Sequence, residues 1–458
     1  MIGTLWRSAL VALVGVLPST AVLALDAVQS PPPARIVNGT PTSDFPAVGM
    51  LIVADKLCTA TLIGCSTVLT AAHCFCAPAN TFQQCQRAGL PDPSQVLFLS
   101  QYAPPMRASG FVIHPDYNFA HGADLAIVRL EHPVTGIPPA IINREGRPPA
   151  GIAGTIVGFG RTGGTQQQSP EVGIKRFASI QTTTCPSGNQ DGIPAMNNLC
   201  FRVAASSDAG TCNGDSGGPL FADVGSGPAL AGVASGIEES RTDCLPNAID
   251  FDTDVYRYRA FVDQQLSADT QPCGDLPVVG APGTSVDAVQ GSVQVGADFH
   301  TTIEVPAGVS VLRVVMNGEL VTPDGANNFD LFVNRGAPAS AADNQCADTI
   351  PAAFGACELH DPQPGTWHIT VAAVVGAGQF QLTSTLFGIE RPACAGDCNG
   401  DGVVAINELV LGVTAATTGD VSACPAIDLD GDGTVRIEEL IAAVNAAQSG
   451  CGAADQRD

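Results

Sequence analysis

Three short segments carry side chains that could together cleave an acyl bond. They are Gly214-Asp215-Ser216-Gly217-Gly218-Pro219-Leu220, Leu69-Thr70-Ala71-Ala72-His73-Cys74 and Ala123-Asp124-Leu125-Ala126-Ile127-Val128-Arg129-Leu130. A serine hydroxyl is a weak nucleophile near neutral pH and needs an adjacent base. Histidine, with an unperturbed pKa of about 6.5, can take that proton and give it back. A carboxylate that accepts a hydrogen bond from the other ring nitrogen holds the imidazole in the right tautomer. These residue types point to Ser216 as nucleophile, His73 as base and Asp124 as orienting acid. The oxyanion formed on attack needs donors, which the backbone N–H groups of Gly214 and Ser216 would supply. Losing one such donor costs on the order of 100-fold or more in rate.

Taken singly, each segment has a plain structural reading: a glycine turn, a satisfied core histidine, a charge at a strand edge. Together, in the order His, Asp, Ser, they resemble the chymotrypsin/trypsin family of serine endopeptidases, from which the general account of the triad is itself drawn. The resemblance implies two β-barrels, protein or peptide substrates and no cofactor for catalysis. Arg35-Ile36-Val37-Asn38-Gly39 resembles the family's activation site. Cleavage after Arg35 would free an α-amino group on Ile36, and the family pairs that ammonium with the acid before the nucleophile, here Asp215. A buried carboxylate without a partner is costly, so a zymogen is expected. His114 resembles a structural strand–turn residue, and His121 lies outside the motif; neither is assigned chemistry.

The resemblance also implies the disulfides Cys58–Cys74, Cys185–Cys200 and Cys212–Cys244. Closing the first loop is worth about 3 kcal/mol in the chain-entropy model. The pairing of Cys65, Cys76, Cys85 and Cys273 stays open. For substrate choice, the family's pocket floor falls on Gly210, followed by Thr211, where tryptic members carry Asp. The substrate-pairing strand falls on Ser235, Gly236 and Ile237, and Ile237 would narrow the pocket. This favours small or medium apolar side chains. Alternatively, Asp250 or Asp252 could reach the pocket from its back wall and restore a preference for Arg or Lys, or both could be solvated loop residues.

These motifs need a scaffold, and composition suits one rich in turns and strands. The chain has 458 residues, with 50 Gly and 34 Pro. About three domains are expected from this length. A net charge of −24 with only 20 Lys plus Arg argues against nucleic-acid binding. The 16 cysteines point to disulfides and an oxidising compartment. Cys74/Cys76 and Cys394/Cys398 lack the spacing of a zinc site. An apolar run from Ala9 to Leu17 after Arg7, then Val22-Leu23-Ala24, reads as a signal peptide over 1–24 and implies secretion. No membrane span is expected. Residues 25–35 read as a pro-segment.

Residues 36–268 show short apolar runs between Gly and Pro, ending in a helical pattern from Tyr256 to Leu266. This is the peptidase segment. The Pro/Gly-rich stretch 269–290 reads as a linker. Residues 291–388 return to strand alternation and resemble the bacterial pre-peptidase C-terminal domain through Asn328-Phe329-Asp330-Leu331-Phe332-Val333 and Pro364-Gly365-Thr366-Trp367. That implies a β-sandwich, in which Cys346 and Cys357 would pair locally.

The tail, 392–453, carries two calcium-loop patterns: Asp397, Asn399, Asp401, Val403 and Glu408, then Asp428, Asp430, Asp432, Thr434 and Glu439, with Gly402 and Gly433 at the turns. Alternating oxygen ligands closed by a twelfth-position carboxylate suit Ca²⁺. The pair resembles EF-hand or dockerin-like modules, with Val404, Ile406, Val435 and Ile437 where paired loops would join. The resemblance allows an unidentified protein partner. Pairing of Cys394, Cys398, Cys424 and Cys451 is open. The expected fold is mainly β: a two-barrel chymotrypsin-like domain, a β-sandwich, and a small α calcium module, as a monomer. The rival reading is a non-catalytic binding or scaffold protein with a vestigial peptidase fold, against which the intact triad and activation site argue.

Overall fold

The computed structural model describes residues 36–119, 121–161, 172–186, 196–205, 207–238, 244, 248–322, 325–388, 394–399, 401–429 and 433–449. The segments expected as signal peptide and pro-segment, including Arg35, and also Asp430, Asp432 and Cys451, lie outside these residues. Among the described residues no helix is long and apolar enough to cross a membrane.

Strands Val48–Val53, Lys56–Leu62, Thr67–Thr70, Ala126–Leu130, Met106–Ile113 and Val96–Leu99 close in that order into a barrel. The aliphatic and aromatic residues of these runs fill it, among them Leu51, Leu62, Val68, Phe98 and Ile127. A second ring of six follows: Ala153–Gly158, Arg176–Thr183, Asn198–Val203, Ala248–Asp254, Pro228–Glu238 and Pro219–Asp223, which pairs back onto the first of them. The helix after it spans Arg259–Leu266, three residues later in its start than the sequence pattern suggested.

Strand Ala248–Asp254 corrects one expectation. Asp250, Asp252 and Asp254 alternate along it and are each 1% exposed. They are not solvated loop residues; period-two alternation points all three to the same buried side.

Two four-stranded antiparallel sheets form the next unit. One orders Thr284–Gln294, Ala377–Phe387, Val311–Gly318 and Phe354–His360; the other orders Phe299–Val305, Gly365–Val375, Asn328–Arg335 and Cys346–Asp348. Leu312, Val314, Phe329, Leu331, Trp367, Ile369 and Leu382 pack between them. The expected linker 269–290 is also corrected. Its end, from Thr284, is already a strand paired with Ala377–Phe387. Its start is pinned: Asp269 accepts from Ser66 and Thr67, and Cys273 is bonded to Cys65. The Gly and Pro residues mark turns within a held segment.

In the tail, helices Ile406–Thr418 and Ile437–Ser449 enclose a small core of Ala415, Cys424, Ile427, Val435 and Ala443. Val404 and Val435 are buried, but Ile406 and Ile437 are 81% and 64% exposed, contrary to expectation. They open the helices on the outer side of the loop junction.

The disulfides Cys58–Cys74, Cys185–Cys200, Cys212–Cys244 and Cys346–Cys357 are formed. Cys76–Cys85 and Cys398–Cys424 join them, and Cys394 is also disulfide-bonded.

Candidate active site

Strand pairing brings His73 and Asp124 together. Thr70 lies opposite Ala126, so the residues just after one strand meet those just before the other. His73 opens a short helix, and its backbone N–H donates to Asp124 Oδ1 at 2.8 Å. Its Nδ1 lies 2.7 Å from Asp124 Oδ2. Asp124 is fully buried, while the His73 side chain is 16% exposed. The carboxylate thus holds His73 through one backbone contact and one ring contact, and the ring's Nε2 takes no part in either. The Phe119 ring stands edge-on to the imidazole, with centroids 5.4 Å apart.

Ser235 was expected only in substrate pairing. The structure gives it a further contact: its hydroxyl donates to Asp124 Oδ2 at 2.5 Å. Nothing local in Ala234-Ser235-Gly236 signals this, because the partner comes from the other barrel.

Ser216 sits where the two barrels meet. Its carbonyl accepts from Thr59 N–H of the first barrel at 2.8 Å, and Gly217 N–H donates to Ala234 of the second at 2.7 Å. Gly214 has φ +102° and Gly217 φ +82°, conformations that disfavour any side chain. A Cβ on Gly214 would also lie 2.8 Å from the Gly160 backbone. The positions two before and one after Ser216 therefore have little tolerance for a side chain.

Asp215 is buried beside it. Its carboxylate accepts from Gly160 N–H at 2.7 Å and Cys212 N–H at 2.9 Å. Burial nonetheless pushes its pKa up to about 7, with Asp250 adding to the rise and Arg176 opposing it. Ile36 is 1% exposed in a cluster with Leu199, Phe201 and Leu220, and Val37 bridges Gly210 through hydrogen bonds of 3.0 and 3.2 Å.

The expected pocket residues converge. Asp250 Oδ2 accepts from Thr211 N–H at 2.5 Å and from the Thr211 hydroxyl at 2.9 Å. A Cβ on Gly210 would lie 3.2 Å from the same oxygen. Asp252 has no hydrogen-bond partner on either oxygen among the described residues, and burial beside Asp250 holds its pKa well above the carboxylate range. Ile237, half-buried, lies opposite Asp250, and Gly236 opposite Phe251.

In the tail, carboxylate oxygens of Asp397, Asp401 and Glu408 all lie within 4.8 Å of one another. Buried Asp397 Oδ1 has no hydrogen-bond partner among the described residues. Asn399 links to Asp401 through a side-chain bond of 3.0 Å. The two loops repeat one scheme. Gly402 and Gly433 N–H donate to Asp397 and Asp428 at 2.7 and 2.8 Å. Glu408 accepts from Asn399 and Ala405, and Glu439 from Leu429 and Arg436. Val403 and Thr434 stand exposed at the seventh positions.

A family model described as Trypsin matches residues 36–262, and one described as bacterial pre-peptidase C-terminal domain matches 300–373. Transmembrane protease serine 11C of Mus musculus is 31% identical over 217 residues, 45% of this chain and 47% of that protein. Serine protease 56 of Homo sapiens is 28% identical over 243 residues, 51% and 39% respectively. Chymotrypsin-like elastase family member 1 of Macaca fascicularis is 32% identical over 187 residues, 39% and 67% respectively. The chain spans about half or less of the first two relatives.

Proposed function

Because the chain belongs to the trypsin family of serine endopeptidases over residues 36–262, with a bacterial pre-peptidase C-terminal domain over 300–373, we propose that it hydrolyses peptide bonds through an acyl-enzyme on Ser216. Ser216 Oγ attacks the scissile carbonyl as His73 takes its proton. The N–H groups of Gly214 and Ser216 hold the oxyanion. His73 then protonates the leaving amine, and water repeats the sequence to release the acid. The observation that carries this reading is buried Asp124, which accepts from His73 N–H, His73 Nδ1–H and Ser235 at once. A serine-directed phosphonate tests it. Labelling of Ser216 in protein beginning at Ile36, abolished by Ser216→Ala, is expected. Absence of labelling would favour the scaffold reading.

The chain acts as a secreted zymogen in this reading. The buried Asp215 carboxyl, raised to about 7, suits an incoming ammonium from Ile36 after cleavage at Arg35. Equal activity of the uncleaved and cleaved forms would sink the idea. For substrates, the place of Asp250 beside Thr211 and Gly210 shifts the balance from small apolar toward basic side chains. Asp250 lies against Gly210 and would supply from another strand the acid that position lacks.

The tail carboxylates fit Ca²⁺, given the convergence of Asp397, Asp401 and Glu408 and the unpartnered Asp397 oxygen. The ion would neutralise these charges and order the loops. Asn399 and the Val403 carbonyl would complete the first loop, and Asp428, Asp430, Asp432, Thr434 and Glu439 would form the second. Catalysis itself uses no cofactor.

A further inference from the structure

Strands Val311–Gly318 and Ala377–Phe387 of the β-sandwich are covered on both faces. Leu312, Val314, Met316, Leu382 and Leu386 fill the sandwich core. The opposite face presents Arg313, Asn317, Gln381, Thr383 and Thr385, none more than 4% exposed. This polar face lies against the peptidase barrels. Arg313 donates to the carbonyls of Tyr102 and Thr135 at 2.8 and 2.9 Å and to the Thr135 hydroxyl at 2.9 Å. Glu358 balances its charge at 2.6 Å. Asn317 Oδ1 and, across the seam, Gln101 Oε1 have no hydrogen-bond partner among the described residues; the match is concentrated at Arg313 and Gln381, where pairing offsets the cost of burying polar groups.

Gln381 is the centre of this face. Its Oε1 accepts from Gln101 at 2.6 Å and from Lys175 N–H at 2.8 Å. Its Nε2 donates to the carbonyls of Thr42 and Lys175, both at 3.1 Å. Gln101 follows the last strand residue, Leu99, of the first barrel's Val96–Leu99; Lys175 precedes Arg176–Thr183 of the second. One side chain therefore bridges both barrels. His73 and Asp124 belong to the first barrel, and Ser216 opens onto the second.

A second line of contact reaches Asp215. Leu320 N–H donates to Val172 at 2.9 Å, and Gly173 N–H donates to Phe159 at 3.0 Å. Phe159, fully buried, shares an apolar cluster against which Leu320 and Phe354 of the sandwich pack. The next residue, Gly160, donates to Asp215. Gly173, at φ +111°, is so close to the sandwich that a Cβ there would lie 2.5 Å from the Gly318 carbonyl.

We infer that the β-sandwich is a working part of the peptidase: through Gln381, Arg313 and Leu320 it braces the two barrels against each other and holds Phe159–Gly160 in place for Asp215. It is a positioning domain, and this inference rests on the peptidase reading above.

The test uses the full chain, activated to begin at Ile36. Gln101→Ala and Gln381→Ala, singly and together, cut the contact from either side, and Gln381→Ala with Arg313→Ala cuts it most deeply. Ser216 phosphonylation should slow by on the order of 10- to 100-fold, the scale of a small misplacement between reacting groups. The Gln101/Gln381 pair should be non-additive, since each removes the same bond. Amide exchange should rise at Gly160 and Lys175 while strand Val48–Val53 stays protected. The milder Thr383→Val, which removes one bond to the Gln101 carbonyl, should show a smaller slowing in a folded chain. Faster exchange at Lys175 with an unchanged labelling rate would overturn the inference. If the unmutated chain fails to label, the peptidase reading fails instead, and the exchange comparison still reports on the brace.

Discussion

Ser235 donates its hydroxyl to Asp124 Oδ2 at 2.5 Å, the same oxygen that faces His73 Nδ1 at 2.7 Å. The second barrel thus helps fix a carboxylate carried by the first. Hydrogen bonds to charged groups contribute about 1.5–3 kcal/mol. Ser235→Ala is therefore expected to lower kcat by about tenfold while leaving KM for short amide substrates nearly unchanged. Steady-state kinetics on protein beginning at Ile36 checks this, and Ser235→Thr should recover part of the loss by restoring the hydroxyl. A fall confined to KM would assign Ser235 to substrate pairing alone.

Substrate choice turns on Asp250. Its carboxylate is anchored by Thr211 and lies against Gly210, the residue where a tryptic floor acid would stand. Arg and Lys reporter peptides should be cleaved faster than Ala and Val reporters. Asp250→Ala should reduce kcat/KM for the basic reporters by on the order of 100-fold, the scale of losing one partner of a buried charge pair. Loss for both reporter classes alike would make Asp250 structural, and faster cleavage of Ala and Val reporters by the unmutated chain would return the pocket to the apolar reading set by Ile237.

The segments of His73, Asp124 and Ser216 stand out in the sequence because each residue sits in its own short motif, and the structure sets His73 against Asp124. Ser235 does not stand out, since its partner lies 111 residues away and a serine in a strand carries no local mark. The same limit explains the sandwich. Gln381-Leu382-Thr383 alternates like a strand with one wet face, and a period of two cannot distinguish water from a polar partner. Only the fold shows that the polar face is covered by the two barrels. The stretch before Thr284 read as a free linker because Gly and Pro report turns, while the tethers at Ser66 and Cys65 are distant in sequence. The acids of Ala248–Asp254 were ambiguous for a related reason: three carboxylates in one strand look solvated until the opposite strand covers them.

The pH dependence of stability follows from those acids. Burial pushes Asp215 up to about 7 from 3.8, and it also raises Asp252 and Asp254. The folded form therefore holds protons that the unfolded chain has released. Stability should fall as pH rises from about 4 through about 7. At about 1.4 kcal/mol per pKa unit, Asp215 alone contributes on the order of 4 kcal/mol across that window. Lys175, lowered to about 7 by burial, acts above the window, where it makes stability rise with pH. Thermal melting of the uncleaved chain between pH 4 and 7 should show the decline, and Asp215→Asn should flatten it. Cleavage to expose Ile36 should flatten it too, because an ammonium at Asp215 favours the charged carboxylate. An uncleaved chain whose melting temperature climbs steadily over this range would contradict the assignment.

Calcium should act on the tail and leave the triad alone. Asp397, Asp401 and Glu408 bring like charges together, and the second loop repeats the hydrogen bonds of the first at Asp428 and Glu439. A cation that binds only the folded loops stabilises them by about 2.7 kcal/mol at 100 times its Kd. Added CaCl₂ should slow amide exchange in Ile406–Thr418 and Ile437–Ser449, and a chelator should reverse this. Glu408→Gln should weaken the response at the first loop, because Glu408 is the carboxylate that closes it and is held by the N–H groups of Asn399 and Ala405. Cleavage of a short reporter peptide should be unaffected in either condition, since no tail residue contacts Asp124, His73 or Ser216 among the described residues. Exchange unchanged by calcium in both helices would remove the metal from this account.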